Sequence, residues 1–321
     1  SKILLRTQPF RESIMILTIC LSPCIDVNME VESLSVGKSN KILNKRIFFT
    51  GKAINAARGL KRLGAQVTAT GFMYEDNGKL FEQELHYEGV PYRFVWCPGR
   101  VRENYKFVDH KSMLTEVDDI SPEVSRGKME ELIKKVRHLA AGCEAVVLSG
   151  GLAKGMAPSY YADVLRAVPA GVKKIVDTSG ERLFESLKCG VDLVKPNLEE
   201  LKSTLGITVN SKEDALEGCR EFLRRGAKYV LLSLGKEGAI LTDGNKNLYC
   251  KSINVAMNST IGAGDGMVAA ATFALARGGD MAEILRCGVA GGTAAVTTPD
   301  SITFKREKYE EILDGLETHE I

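Results

Sequence analysis

Short apolar runs rich in β-branched residues recur along this chain, and stretches of helical periodicity lie between them. Gln66–Thr70, Ala145–Leu148, Lys173–Val176, Asp192–Val194 and Tyr229–Leu232 read as buried strands. Ala53–Leu63 places Ala53, Ala56, Ala57, Leu60 and Leu63 at helical spacing, which turns Arg58, Lys61 and Arg62 outward. Met129–Ala140 and Ala215–Leu223 repeat the pattern. Such alternation predicts an α/β fold, a parallel sheet with helices on both faces. Two segments break the rhythm. Residues 28–49 and 92–110 alternate polar and apolar side chains and are poor in helix signals. They read as small antiparallel strands projecting from the main sheet as a lid. No internal repeat or low-complexity tract divides the chain, so residues 14–321 are expected to form one domain carrying this lid.

The start of the chain needs its own reading. Lys2, Arg6 and Arg11 precede the apolar run Ile14–Leu21, and Leu-Ser-Pro-Cys24 loosely imitates a lipoprotein cleavage box. The run has only eight residues, and Pro23 would stand where cleavage wants a small residue. β-Branched residues followed by a proline suit a buried first strand better. Residues 1–13 show no periodicity and read as an upstream extension. No run is as long as a membrane span, so a cytoplasmic protein with no membrane partner is expected. The net charge of +2 gives no whole-molecule attraction for nucleic acid. Eight cysteines are scattered without a C-x-x-C pair or a histidine partner at ligand spacing, which argues for reduced, buried thiols and no structural metal.

One segment carries chemistry. In Asn258-Ser-Thr-Ile-Gly-Ala-Gly-Asp-Gly266, Gly262 and Gly264 flank Ala263 just before the helix-prone run Met267–Ala276. Glycines at a helix mouth expose backbone N–H groups where the helix carries partial positive charge, a place that holds phosphate oxygens. Asp265 is an odd neighbour for an anion site unless something there must lose a proton. Anion hole plus base points to phosphoryl transfer to a hydroxyl. The plainer reading is a helix cap behind a glycine turn.

Rival motifs fail. Gly37-Lys-Ser39 hints at a P-loop, but Glu32 stands where the leading glycine belongs. No G-x-G-x-x-G follows an early strand, and no H-E-x-x-H or G-x-S-x-G is present. His86, His110, His138 and His319 form no cluster and read as surface or packing residues.

The Gly-Ala-Gly-Asp segment resembles the signature of the ribokinase-like, or PfkB, carbohydrate kinases, and further pieces follow in that family's order from about Met15 to Thr298. Thr50-Gly-Lys-Ala-Ile-Asn55 is similar to its Gly-Gly-Lys-Gly-x-Asn sugar turn, and Val101-Arg-Glu-Asn104 to its Thr-Arg-x-Asn element. Leu148–Gly155 resembles its Ser-Gly-Ser-Leu-Pro-x-Gly loop. Lys195-Pro-Asn-Leu-Glu-Glu200 matches Lys-Pro-Asn-x-x-Glu, and Ser233-Leu-Gly-Lys-Glu-Gly238 matches Ser-Leu-Gly-x-x-Gly. The ordered set is specific where each piece alone is weak. Within the family the resemblance is to the branch acting on sugar phosphates, 1-phosphofructokinase and tagatose-6-phosphate kinase. It implies a three-layer sandwich with a central, mostly parallel sheet and a small β lid, ATP and Mg²⁺ as cofactors, and a phosphorylated ketohexose as substrate. It also implies a homodimer closed through the lids, with Ile42, Ile47, Phe48, Phe94 and Trp96 as lid side chains in need of cover.

Roles follow from those matches. Asp265 would take the proton from the sugar hydroxyl, while Gly262, Ala263 and Gly264 supply backbone donors to the transferring group. Lys195 would reach the nucleotide phosphates, unless it is a snorkelling lysine. Asn197 and Glu200 would organise magnesium-bound phosphates, with Glu200 reaching the metal through water; alternatively they form a capping box. Ser233, Gly235, Gly238 and Thr260 complete the ATP side, although a Gly-x-x-Gly turn is also a common β-turn. On the acceptor side, Asp26, Gly51, Lys52 and Asn55 would hold the sugar. Arg102, backed by Asn104, would grip the existing phosphate, with Arg100, Lys106, Lys38 and Lys41 adding charge nearby. Asp177, in Asp-Thr-Ser-Gly180, reads as structural or supporting and stays outside this set.

The departures fall mostly on the acceptor side. Thr50 and Ala53 replace two glycines of the sugar turn, Ser22 stands where relatives carry Asn, and Gly151 and Ala153 replace a Ser and a Pro. Fructose 1-phosphate to fructose 1,6-bisphosphate is the expected conversion. The alternatives are tagatose 6-phosphate or another sugar, and, from a different class, a nucleotide-binding regulator without turnover. Retention of Asp265 between its glycines argues against the last, since a pure binder needs no base.

Overall fold

The computed structural model describes residues 14–111, 113–256, 258, 262–298 and 303–321. From β1 (Met15–Cys20) the chain passes to β2 (Cys24–Val31) and β3 (Ile42–Thr50), then through α1 (Lys52–Arg62) to β4 (Gln66–Tyr74). Helix α2 (Lys79–Tyr87) leads to β5 (Tyr92–Cys97), followed by β6 (Arg102–Val108) and β7 (Leu114–Val117). A regular winding comes next: α3 (Arg126–Leu139), β8 (Ala145–Ser149), α4 (Tyr160–Arg166), β9 (Lys173–Asp177), α5 (Glu181–Leu187) and β10 (Val191–Val194). Helices α6 (Leu198–Leu205) and α7 (Lys212–Arg224) precede β11 (Ala227–Ser233), β12 (Ala239–Thr242) and β13 (Asn247–Cys250). Then come α8 (Ala263–Ala276), α9 (Met281–Val296), α10 (Arg306–Asp314) and a last strand, β14 (Thr318–Glu320).

Ten strands form one sheet in the order β14-β13-β12-β11-β10-β9-β8-β1-β4-β5. From β11 to β5 every pairing is parallel, while β12, β13 and β14 add an antiparallel edge. Helices cover both faces: α1, α8, α9 and α10 pack with one another, and α3, α4 and α5 form a separate packed row. The runs read as buried strands are mostly buried, β8 with all five residues enclosed, while Gln66 at the start of β4 is exposed and Lys173 and Lys174 at the start of β9 are half-buried. Helix α8 is apolar all round and correspondingly sunk in the core. Small residues let α8 and α9 touch along their backbones, so that a Cβ on Gly266 would lie 2.6 Å from the Gly291 carbonyl oxygen. Gly266→Ala would therefore push apart the helix that carries Asp265, an overpacking strain of about 1–3 kcal/mol. Among the described residues no helix is long and apolar enough to cross a membrane.

The lid is a second sheet of four strands in the order β3-β2-β6-β7. Its limits differ from the expectation. Tyr92–Cys97 belongs to the main sheet, where β5 pairs in parallel with β4 and buries Phe94 and Cys97. A half-covered edge strand alternates as a lid strand does, so period alone could not separate the two. The lid is also not wholly antiparallel, because β2 and β6 run side by side in the same direction. Helix α1 also departs from its periodicity. Arg58, expected outward, is only 3% exposed. The base of the lid and the α2–β5 turn close over what would otherwise be the solvent face of that helix, and Arg58 reaches Phe49 in one and Glu88 in the other.

Candidate active site

Strand order reverses between β1 and β8: β4 and β5 continue on one side, β9, β10 and β11 on the other. In open parallel sheets the carboxyl ends of the strands at such a switch flank a crevice. The ends of β1, β9 and β10 and the first turns of α1, α6 and α8 converge there, and the lid rises from the same edge because β2 starts four residues after β1 ends.

Asp265 lies in the first turn of α8, buried, behind the N-cap Gly262. Gly262 has φ +81°, a left-handed conformation that a side chain would resist, and it offers no side chain to cap the helix. Among the described residues no side chain takes the first-turn N–H groups, and a helix mouth of this kind can receive an anion. Beside them, the Lys195 ammonium comes within 3.4 Å of where a Cβ on Gly264 would stand. Asn55, in α1, donates from Nδ2 to Asp265 Oδ2 at 2.7 Å.

A buried charge network fixes the floor. Asp177, at the end of β9, pairs with Lys195 at 3.3 Å and with Lys52 at 3.4 Å, and accepts from the Ser149 hydroxyl at 3.0 Å. Burial alone would raise its carboxyl, but Lys195, Lys52 and the Ser149 hydroxyl outweigh that and hold it below its ordinary range. Lys52 is pushed up, chiefly by Asp177 and further by Glu200 and Asp265, so it stays charged. Asp265 goes the other way: burial, then the nearby charge of Asp177, lift its carboxyl to about 6, against the pull of Asn55, Lys52 and Lys195. At neutral pH such a carboxylate is mostly ionised yet basic enough to take a proton, the compromise general base catalysis favours.

Lys195-Pro-Asn and Ser233 lie side by side, with Ser233 N donating to the Pro196 carbonyl at 3.0 Å. Asn197 and Glu200 form a capping box: Asn197 Oδ1 accepts from Glu200 N at 2.7 Å, and Glu200 Oε2 accepts from Asn197 N at 2.9 Å. Glu200 Oε1 also faces Lys52 at 3.5 Å, which aims this carboxylate into the crevice. Gly235 faces open space, whereas a Cβ on Gly238 (φ +94°) would lie 2.0 Å from the Cys250 carbonyl oxygen. Gly238 is thus demanded by the β12–β13 hairpin, and ligand approach is open at Gly235. Thr260 lies outside the described residues.

On the opposite wall, Asp26 sits in β2, buried, accepting from Thr50 Oγ1 and Lys106 Nζ, each at 3.3 Å. Gly51, the N-cap of α1, follows Thr50 directly. Arg102 Nε donates to Ser22 Oγ at 3.2 Å and Nη1 to Asn104 Oδ1 at 3.1 Å, using two of its five donors. The supporting cations are arranged otherwise than expected. Lys106 pairs with Asp26 and, at 3.7 Å, with Glu116, while Arg100 turns to Glu103. Lys38 and Lys41 are exposed in the β2–β3 connection, at the far end of β2 from Cys24, the partner of Arg102. Seven strand residues, roughly 23 Å, separate the two ends, so these lysines do not face Arg102 within one chain.

Sequence reasoning left out Asp177 and gave Lys106 the wrong neighbours. A carboxylate ending the strand read over Lys173–Val176 is the one local sign that marked Asp177. The four histidines are exposed and outside the crevice, all eight cysteines are free, and no metal-binding cluster of His, Cys, Asp or Glu occurs among the described residues.

A large parallel sheet, a small sheet standing over its strand ends and a carboxylate at a bare helix mouth define a carbohydrate kinase of the ribokinase fold. The chain belongs to the pfkB family carbohydrate kinases, which it matches over residues 12–308. It is 30% identical to a 1-phosphofructokinase of Vibrio cholerae over 283 residues, 88% of this chain and 89% of that one. It is 27% identical to a tagatose-6-phosphate kinase of Staphylococcus epidermidis over 96% of this chain and 100% of the other. The structure of Escherichia coli phosphofructokinase-2 in complex with substrates and products superimposes with a TM-score of 0.87 at 27% identity, covering 94% of this chain and 99% of that one.

Proposed function

We propose that this kinase transfers the γ-phosphoryl group of ATP to the C6 hydroxyl of fructose 1-phosphate, giving fructose 1,6-bisphosphate and ADP. The bond between the γ-phosphorus and the β,γ-bridging oxygen breaks, the O6–phosphorus bond forms, and the O6 proton passes to Asp265. The observation that carries this reading is the opposition of two features across one crevice. Asp265, with its carboxyl near neutrality, stands beside bare N–H groups on one wall. Arg102, steadied by Ser22 and Asn104 with donors to spare, stands on the other. The 1-phosphofructokinase relatives support the acceptor.

Each residue then has a task. Gly262, Ala263 and Gly264 present backbone donors to the transferring group, and Lys195 holds its charge from the side. Ser233 and Gly235 border the nucleotide. Asp26 and Asn55 orient the sugar hydroxyls, Gly51 and Lys52 close the turn beneath the ring, and Arg102 with Asn104 grips the 1-phosphate. Mg²⁺ fits as an ion carried by the phosphates, because both Glu200 oxygens already have protein partners and Asn197 is tied into the same box. Glu200 would hold it through water. When bound, the ion neutralises charge on the β- and γ-phosphate oxygens.

The lid exposes Ile42, Leu43, Ile47, Leu114 and Val117. Apolar side chains on a small sheet with free edges call for cover, so the protein works as a homodimer through its lids. ATP use and free thiols support a cytoplasmic location.

Release of ADP, measured against fructose 1-phosphate, fructose 6-phosphate, tagatose 6-phosphate and free fructose, tests the assignment. Fructose 1-phosphate should give the highest kcat/KM. A preference for tagatose 6-phosphate would shift the substrate to the second reading, which the changes at Ser22, Thr50 and Ala53 leave open. Equal turnover of free fructose would remove the task given to Arg102.

A further inference from the structure

The buried guanidinium of Arg58 has no part in the reaction outlined above, and its neighbours give it one. It lies one turn after Asn55 in α1 and is 3% exposed. Its Nε pairs with Glu88 at 2.5 Å, and its Nη1 donates to the Phe49 carbonyl at 2.6 Å and to Asn55 Oδ1 at 3.4 Å. We propose that Arg58 is a positioning residue for phosphoryl transfer: it holds the Asn55 amide in the one orientation that donates to Asp265, and it does so from the foot of the lid.

Hydrogen-bond valence fixes the amide's orientation. An ionised carboxylate only accepts, and a guanidinium only donates and keeps its charge throughout the working range. An amide caught between them satisfies both in a single orientation, Nδ2 toward Asp265 and Oδ1 toward Arg58. Turned over, it would set oxygen against carboxylate and N–H against guanidinium. Without Arg58 half of that bias disappears. Asn55 could then present its oxygen, which tolerates Asp265 only when protonated. The Phe49 carbonyl fixes where the guanidinium sits, and Phe49 precedes Thr50, whose hydroxyl donates to Asp26. One cation thus ties the sugar-facing end of β3 to the geometry of the base.

The inference rests on Asp265 being the base, and the test separates the two. Charged groups that face Asp265 are Asp177 at the end of β9, Lys52 at the start of α1 and Lys195 after β10. The Cys20 thiol at the end of β1 is also close, but burial pushes it up to about 12 and keeps it neutral. Glu88 is the charged partner of Arg58. Neither these charged groups nor the Cys20 thiol bonds to Arg58, so a change at position 58 reaches the base through Asn55.

The experiment is the pH profile of kcat/KM for the acceptor that turns over best, in the full-length protein. Wild type should show an acid limb, and Asp265→Asn should lose turnover. If Asp265→Asn keeps more than half of the wild-type kcat, the base reading itself falls. With that control in place, Arg58→Met and Asn55→Ala should each move the limb to higher pH by about one unit, the size expected for one lost bond to an ionised carboxylate. In the Asn55→Ala background, Arg58→Met should add no further shift. Arg58→Lys keeps the charge, but its compact ammonium cannot span Phe49 and Asn55 together. It should move the limb in the same direction and carries the comparison if Arg58→Met does not fold. Glu88→Gln removes the ion pair and should lower the melting temperature without moving the limb, which a purely structural Arg58 would not distinguish. A limb in Arg58→Met and Arg58→Lys that coincides with wild type while Asp265→Asn is dead overturns the proposal.

Discussion

Asp265→Asn should make the protein more stable while stopping its reaction. The carboxyl is displaced from 3.8 to about 6, first by burial and then by the charge of Asp177. A raised carboxyl means that the folded protein binds a proton more tightly than the unfolded chain. Its contribution to stability is therefore fully present below about pH 4 and is lost as the pH rises through about 6. Above that, the fold carries a buried carboxylate it would be steadier without. A displacement of about two units at 1.36 kcal/mol each makes this penalty about 3 kcal/mol. Asparagine has nearly the same shape, can present an oxygen to Asn55 Nδ2, and has no charge to bury. For 321 residues the unfolding entropy is roughly 0.7 kcal/mol per degree, so the variant should melt about 4 °C higher than wild type at pH 8. At pH 4 the two should melt together. The kcat should meanwhile fall by roughly 10²–10⁴-fold, the usual worth of a general base. Thermal unfolding followed by circular dichroism at pH 4, 6 and 8, beside steady-state turnover, checks both halves. A variant no more stable than wild type at pH 8 would refute the electrostatic account of the site. One retaining more than half of the wild-type kcat would return Asp265 to the role of a helix residue.

Three further outcomes are expected. Arg102→Ala should raise KM for the phosphorylated acceptor roughly 10–100-fold, through loss of charge-assisted bonds of about 1.5–3 kcal/mol, and leave KM for ATP within about twofold; unchanged acceptor KM would make Arg102 only a strut for Ser22 and Asn104. Glu200→Gln should raise the Mg²⁺ concentration needed for half-maximal rate, measured by titration at saturating ATP, whereas unaltered metal dependence would leave Glu200 with its capping box alone. Light scattering at micromolar concentration should give a dimer, and Ile47→Asp, which puts a charge on the exposed lid strand β3, should give a monomer; a monomeric wild-type protein would end the lid-interface reading.

The lid shows where local signals stop being enough. Residues 92–97 and 102–108 have similar alternation, yet β5 completes the main sheet beside β4 and β6 lies in the lid beside β2. Nothing within either strand specifies its partner, because pairing depends on which backbone edge is free once the rest of the sheet has formed. Arg58 fails for a related reason. Helical period turned it outward, and it would be outward if α1 had one free face. Phe49 and Glu88 supply the cover, and both belong to other elements. The cation cluster of the lid dissolved in the same way: Lys106 found Asp26, and Lys38 and Lys41 were left at the opposite end of the sheet.

By itself the sequence determined whatever is settled within a few residues. Apolar period placed the buried strands and α1, Gly262 opened the mouth of α8, and the three-residue spacing of Asn197 and Glu200 built a capping box, since propensity, φ and caps act over a single turn. Tertiary structure decided the electrostatics. Asn55 meets Asp265 across 210 residues, and Lys52 meets Glu200 across 148. Asp177 became the counterion of two lysines only once β9 and β10 lay side by side with α1 above them. A carboxyl's proton affinity depends on burial and on charges a few ångströms away, and the fold alone decides which residues those are.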